Sequence, residues 1–464
     1  MHRVGLVLIL TILCETPALA QAPTDSDVRR ILSERIDKYH DSVGIVVGII
    51  DPSGRRVFSH GTFGANDARP VDGDTIFEIG SITKVFTSLI LATMVERGEV
   101  ALSDPVAKYL PANVKVPQRK GRQITLRDLA THRSGLPRMP SNYSEQGPDD
   151  PYAMYSEEKL YAFLSGHELP RDVGSRFEYS NLGVAILGLA LKRRAGMDYD
   201  TLVRERVLTP LGMTSTAFIL NPGQETRLAV GHSNLYWMTP APSWNLSTFD
   251  GAGGLRSTAN DMLTFLAANL GMIETPLAPA IAAMLKDRRD VGDNDKVGLG
   301  WFVRKERGSE SVWHNGGTFG YKSFAGYDPK KRLGVVVLSN NSSGAGVTDI
   351  GRHLLNSRES LNTLALRKRE VLPVDPQLLK SCVGRYEFPN KDVWTVRQDG
   401  ERLFVTKPEA PEFEIFAQGD HRFILKTADS QITFEFEKAS PDRASEMVLR
   451  QVWQNRPLRG KRID

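Results

Sequence analysis

Cysteine is almost absent from this chain. Among 464 residues there are two, Cys14 and Cys382. Cys14 lies in an N-terminal stretch that reads as a removable leader, so the mature chain would keep Cys382 alone and form no intrachain disulfide. Zinc or iron–sulfur ligation by clustered cysteines is excluded for the same reason. Net charge is also scarce: 59 Lys and Arg against 55 Asp and Glu leave a formal +4. No dense Lys/Arg cluster interleaved with aromatics occurs, which argues against a nucleic-acid partner. Beyond the leader no apolar run reaches membrane-spanning length, so a soluble mature protein with no stable membrane insertion is expected.

The leader has the parts of a secretory signal. His2 and Arg3 make a positive start, Val4 to Cys14 form the apolar run, and Ala18-Leu19-Ala20 offers a small-x-small cleavage site before Gln21. Leu13 is not small, which argues against lipidation of Cys14. Residues 1–20 are therefore read as a signal peptide, and the mature protein as secreted or periplasmic in a bacterium.

Behind the leader the chain reads as two units. Residues 21–360 mix helical and strand periodicities. Val43 to Ile50 and Arg56-Val57-Phe58 form a hairpin about Asp51-Pro52-Ser53-Gly54. From Ser81 the positions Val85, Phe86, Leu89, Ile90 and Met94 recur at helical spacing until Arg97-Gly98. Further helices are predicted from a cap near Thr125, over Asn181–Arg194, and over Thr258–Leu270 with a cap near Ser257. Residues 311–316, 322–327 and 333–340 read as strands, and the polar stretch 138–157 as a long loop. Residues 361–374 read as a charged connector. Residues 375–464 then alternate as short strands: Val393–Val396, Leu403–Val405, Phe413–Phe416, Phe423–Leu425 and Ile432–Phe436, with a tight turn at Asp399-Gly400. This predicts a small antiparallel barrel.

Three constellations carry chemistry. In Ser81-Ile82-Thr83-Lys84 the serine and lysine stand three apart, so hydroxyl and amine share one helix face. A neutral lysine amine can take the serine proton, and a helix N-terminus favours the resulting negative charge. In Tyr179-Ser180-Asn181 a phenol near a lysine ammonium would ionise more readily and move protons, while Asn181 offers an amide to the lysine or a substrate carbonyl. In His314-Asn315-Gly316-Gly317 the glycines would let a substrate lie along a strand edge. The Gly317 amide, with that of Ser81, would then make an oxyanion site.

Ser-x-x-Lys, Tyr-x-Asn and His-x-Gly in this order resemble the serine β-lactamase and penicillin-binding-protein superfamily, in its class C-like branch. That branch holds class C β-lactamases, D-aminopeptidases, D-stereospecific endopeptidases, DD-peptidases and β-lactamase-like carboxylesterases. The resemblance spans about residues 25–350 and includes Thr125–Pro137, Pro210-Leu211-Gly212-Met213, Gly253–Thr258 and Gly298-Leu299-Gly300-Trp301. It implies an α+β fold, an antiparallel sheet flanked by helices with a helical lobe, and Ser81 between the two. It implies acylation of Ser81, proton transfer by Lys84 and Tyr179, substrate binding by Asn181, His314, Gly316 and Gly317, and no metal or organic cofactor. The tail is similar to the lipocalin-like domains of some peptidases in the branch.

One departure bears on substrate. Class C β-lactamases carry Lys-Thr-Gly where this chain has His314-Asn315-Gly316. A histidine is largely neutral at pH 7, so weaker carboxylate capture and greater tolerance of uncharged esters are expected. The candidate reactions are therefore amide hydrolysis of β-lactams or D-amino-acid peptides, with ester hydrolysis as the alternative. A binding protein for peptidoglycan fragments is the alternative of another class. His132 and Arg133 are read as structural, Trp301 and Trp313 as core aromatics, and Tyr143, Tyr152 and Tyr155 as loop residues that either line the cleft or sit in solvent.

Overall fold

Between Val43 and Ile50 every position is apolar or glycine, and a strand of that kind needs cover on both faces. The computed structural model describes every residue except 1–22, 40, 144–151, 234–238, 293–294, 307–308, 343–345, 362–371, 390, 407–411, 420, 425–429, 438–441 and 452–456. In it β1 (Gly44–Asp51) is buried along its whole length. Ile45, Val47 and Ile49 pack with Val28, Ile31 and Leu32 of α1 (Asp25–Ser33) and with Ile350 and Leu354 of a C-terminal helix, whereas Val46 and Ile50 join a second, larger core.

β1 sits within a nine-stranded antiparallel sheet. Its members are β2 (Gly54–Gly64), β3 (Asp67–Pro70), β4 (Arg289–Gly292), β5 (Asp295–Val297), β6 (Phe302–Glu306), β7 (Ser309–Gly317), β8 (Lys322–Asp328) and β9 (Leu333–Ser339). The order across the sheet is β4-β5-β6-β7-β8-β9-β1-β2-β3. The predicted hairpin and all three later strands are present.

The larger core belongs to the helical lobe. α2 (Thr83–Glu96) is buried at every position from Thr83 to Met94, so protein surrounds it on all sides, as expected of a central helix. Phe86 stacks on Phe265 with ring centroids 4.3 Å apart, and Trp301 is fully buried beyond it, as expected for a core aromatic. α3 (Asn181–Ala195) starts at Ser180, whose hydroxyl accepts from the Gly183 amide at 2.8 Å. It ends at Gly196 with φ 70°, and Lys192, Arg193 and Arg194 complement its C-terminal dipole. Thr258, one residue beyond the expected cap, caps α4 (Ala259–Asn269), and Thr125 forms a full capping box with Asp128. α5 (Thr348–Leu355), which carries Ile350 and Leu354, packs on β8 and β9.

The C-terminal segment is a closed, up-and-down antiparallel barrel of eight strands. They are β10 (Gly384–Glu387), β11 (Val393–Asp399), β12 (Arg402–Thr406), β13 (Phe413–Ala417), β14 (Arg422–Ile424), β15 (Ser430–Phe436), β16 (Ala444–Gln451) and β17 (Leu458–Arg462). Pairing of β10 with β17 closes it. Three of the eight escaped the sequence pattern; β17, for instance, is Leu458-Arg459-Gly460-Lys461-Arg462, with little apolar alternation to read. The first tight turn falls on Gly400-Glu401, one residue later than expected, because Asp399 still pairs with Arg402. The signal peptide, the middle of the polar loop and most of the connector lie outside the described residues. Among those described, no helix is long and apolar enough to cross a membrane.

Candidate active site

Ser81 precedes α2 rather than lying within it. Gly80–Ile82 forms a 3-10 turn, and Thr83 Oγ1 pins it by donating to the Gly80 carbonyl at 2.7 Å and accepting from the Leu255 amide at 3.1 Å. One turn on, Lys84 Nζ stands 2.9 Å from Ser81 Oγ and donates to the Ala252 carbonyl at 2.5 Å. The three-residue spacing therefore delivers the contact it promises. Lys84 is 1% exposed, and burial drives its pKa well below the ordinary lysine value, with the Arg138 charge adding to the effect. A neutral amine beside a hydroxyl is the state a general base requires.

Tyr179 completes the cluster from the N-terminal side of α3. Burial pushes its pKa up to about 12, outweighing its hydrogen bond with Ser81 and the Arg138 charge. This corrects the expectation that a lysine ammonium would ease phenolate formation: Lys84, 5.0 Å from the ring centroid, is itself held toward neutrality. Tyr179 is therefore a proton donor at neutral pH. Its position is set by His132, whose ring stacks on it at 4.4 Å and whose Nδ1 accepts from the Ser180 amide at 3.1 Å. His132 is structural, as read from sequence. Among the described residues Lys84 hydrogen-bonds Ser81 and Ala252, and the Asn181 amide donates to Met139 Sδ at 3.8 Å. Asn181 Oδ1 is buried with no hydrogen-bond partner among the described residues, facing a small pocket beside Ser81.

β7 brings the third motif. Its pairing with β6 stops at Phe302 opposite Trp313, so the edge of residues 314–317 is left open on that side. Gly316 is obligatory there: a Cβ would lie 2.0 Å from the Ile79 carbonyl oxygen, which also accepts from Ser323 Oγ at 2.8 Å. Gly80, at φ 50°, comes so close that its Cβ would stand 2.7 Å from the Gly317 nitrogen. The backbones flanking Ser81 and Gly317 are thus held side by side. His314 is different. It is 1% exposed, its Nδ1 lies 2.6 Å from the Asn315 carbonyl, and its ring packs 5.3 Å from Phe302 and 6.3 Å from Tyr179. Burial and the Lys84 charge push its pKa to about 3, so it is neutral. It sits behind the cleft wall instead of lining it.

Two cavities meet at Ser81 and Gly317. The larger, about 490 Å³, is walled by Ser81, Tyr179, Gly316 and Gly317 together with Arg138, Trp313 and Lys322. The smaller, about 30 Å³, is bounded by Asn181, Tyr152, Trp244 and Phe249 and has no charged side chain in its wall. Trp313, read as a core residue, therefore also faces the larger cavity. The tyrosines of the polar loop are packed, not solvated: Tyr143, Tyr152 and Tyr155 cluster on Phe249, and Tyr155 is 3% exposed. Sequence reasoning missed Arg138 and Lys322. Arg138 directly follows Gly135-Leu136-Pro137, but Lys322 reaches the cleft only through the β7–β8 register, in which it sits opposite Gly317.

The model of the Beta-lactamase family matches residues 28–357. The D-alanyl-D-alanine-carboxypeptidase/endopeptidase AmpH of Escherichia coli (strain K12) is 31% identical over 332 residues, covering 67% of this chain and 84% of that protein. The crystal structure of a beta-lactamase/D-alanine carboxypeptidase from Yersinia pestis complexed with citrate superposes with TM-score 0.62 at 26% identity, over 74% of this chain and 98% of that one. A class C beta lactamase from Rhodobacter sphaeroides gives TM-score 0.62 at 25% identity, over 74% of this chain and 100% of that one. The chain belongs to the beta-lactamase family and is a serine hydrolase.

Proposed function

We propose that this protein is an exported hydrolase that cleaves the amide bonds of β-lactams or D-amino-acid peptides through an acyl-enzyme on Ser81. The observation that carries the reading is the 2.9 Å contact between Ser81 Oγ and a buried Lys84 amine whose pKa is strongly lowered. Lys84 takes the serine proton as Oγ attacks the carbonyl carbon. The amides of Ser81 and Gly317 receive the oxyanion. Tyr179 gives its proton to the departing nitrogen as the C–N bond breaks, and the Lys84 ammonium restores it, so the serine proton ends on the leaving group. Water then frees the acyl group from Ser81.

The test is acylation followed by turnover. A fluorescent penicillin should label the protein, with the adduct on the Ser81 peptide by mass spectrometry. A panel of nitrocefin, D-Ala p-nitroanilide and p-nitrophenyl butyrate should show turnover of at least one amide, and Ser81→Ala should remove at least about 1,000-fold of it. No label on wild type, or unchanged rates in Ser81→Ala, would sink the reading. Export is tested separately: N-terminal sequencing of the processed protein should begin at Gln21.

Ester hydrolysis is the second reading. The neutral His314 supports it, because the position that carries a fixed ammonium in class C β-lactamases carries no charge here. No observation favours the binding-only alternative, since Ser81, Lys84 and Tyr179 stand within reach of one another.

A further inference from the structure

The larger cavity has two cationic walls and no acidic one. Lys322 opens β8 directly across from Gly317. Its stem runs past Gly346, and its Nζ would lie 3.1 Å from a Cβ on Gly317, so the ammonium stands over the residue whose amide neighbours Ser81. Among the described residues Lys322 has neither a carboxylate nor a hydrogen-bond partner, and burial lowers its pKa with no other charge acting on it. Arg138, which lines the same cavity, has its guanidinium 5.2 Å from the Tyr179 ring centroid and likewise has no carboxylate partner among the described residues. A half-buried ammonium with no counter-ion is desolvated without compensation, and a bound anion supplies what is missing.

The polarity of the site says which part of a substrate carries that anion. Tyr179, the proton donor to the leaving group, lines the larger cavity and not the smaller one. The leaving group therefore lies with Tyr179, Lys322 and Arg138, and the acyl group points toward Tyr152, Trp244 and Phe249. We infer that Lys322, assisted by Arg138, captures a carboxylate on the leaving-group side of the scissile amide, restoring from the neighbouring strand the charge that His314 does not supply. This rests on the acyl-enzyme reading above and narrows it to substrates with an anionic leaving group. It also reverses the expectation of weak carboxylate capture, which considered position 314 alone.

A carboxylate in that place occurs at the C-terminus of a peptide and on the ring fused to a β-lactam, and the experiment separates the two. Specificity ratios are measured for wild type, Lys322→Met and Lys322→Arg: a peptide ending in D-Ala-D-Ala against its C-terminal amide, and benzylpenicillin against its methyl ester. In Lys322→Met the acid-over-neutral ratio of kcat/KM should fall about 10- to 100-fold, mainly through KM, and Lys322→Arg should restore most of it. A fall with the peptide pair alone assigns a peptide terminus, and a fall with the penicillin pair alone assigns a lactam. Equal loss on acid and neutral substrates, or no change in either ratio, overturns the inference. A readout independent of turnover is calorimetric binding of D-Ala-D-Ala to Ser81→Ala and to Ser81→Ala/Lys322→Met. Affinity should drop about 10-fold or more in the double variant, and equal affinities would overturn the inference even if Ser81 proved not to be acylated.

Discussion

At the scale of single residues, the lysine, tyrosine and histidine of this cleft are all moved by burial, each toward its neutral form. The pH dependence of catalysis should show it. Lys84 is lowered, so kcat/KM for an uncharged substrate should fall on the acid side, as the amine takes a proton; Tyr179, held up to about 12, adds no alkaline loss in the working range. With such a substrate kcat/KM should not decline between pH 7 and pH 9, and a decline there would contradict the assignment. His314 makes a stability prediction. Its folded pKa of about 3 lies below the unfolded value of roughly 6.5, so between these pH values the unfolded chain binds a proton that the folded one refuses. Its contribution is complete above the unfolded value and is lost as pH falls toward the folded one, at up to about 1.4 kcal/mol per pH unit. Urea midpoints measured from pH 4 to pH 7 should rise less steeply in His314→Asn than in wild type. The residue types at these positions were legible from the motifs. Their charge states were not, because desolvation depends on what surrounds a side chain and not on its neighbours in sequence.

At the scale of elements, the site is a junction between the 3-10 turn before α2 and the open edge of β7. The glycine motif was legible as a pattern, but its reason was not: Gly316 is required because the Ile79 carbonyl oxygen occupies the space a side chain would take. Gly316→Ala should push β7 off the turn, lowering stability by about 1–3 kcal/mol and kcat/KM by about 100-fold or more. Asn315→Ala, one residue away, removes a 3.0 Å hydrogen bond from Asn315 to Thr348 and should lower stability by only about 1 kcal/mol. Denaturant melts and kinetics on the two variants check the contrast, and similar losses in both would mean that the close approach is not what fixes the junction. Strands with strong apolar runs, such as β1 and β9, were readable beforehand. β10, β16 and β17 were not, because closure of the barrel and not an apolar pattern selects them.

At the scale of the whole molecule, the barrel has its own core. Tyr386, Phe423, Phe434 and Met447 pack with Cys382, and none of them belongs to either core around the nine-stranded sheet. Burial pushes the Cys382 thiol up to about 12, so it is inert while the barrel is folded. In a chain starting at Gln21 it is the one thiol, which makes it a reporter. Its reaction with a disulfide reagent should follow a transition separate from loss of hydrolysis, and a chain ending after residue 360 should keep ester or amide turnover within about 3-fold. Coincident loss of thiol protection and activity would show a single cooperative unit instead. By itself the sequence determined the order of the three motifs, the strands and helices with strong periodicity, and the Ser81–Lys84 contact, because these depend on local spacing. Only the tertiary structure decided that burial holds Lys84 toward neutrality, that His314 is walled off from the cleft, and that Lys322 stands in it. Burial and strand register join residues far apart in the chain, and no local pattern contains them.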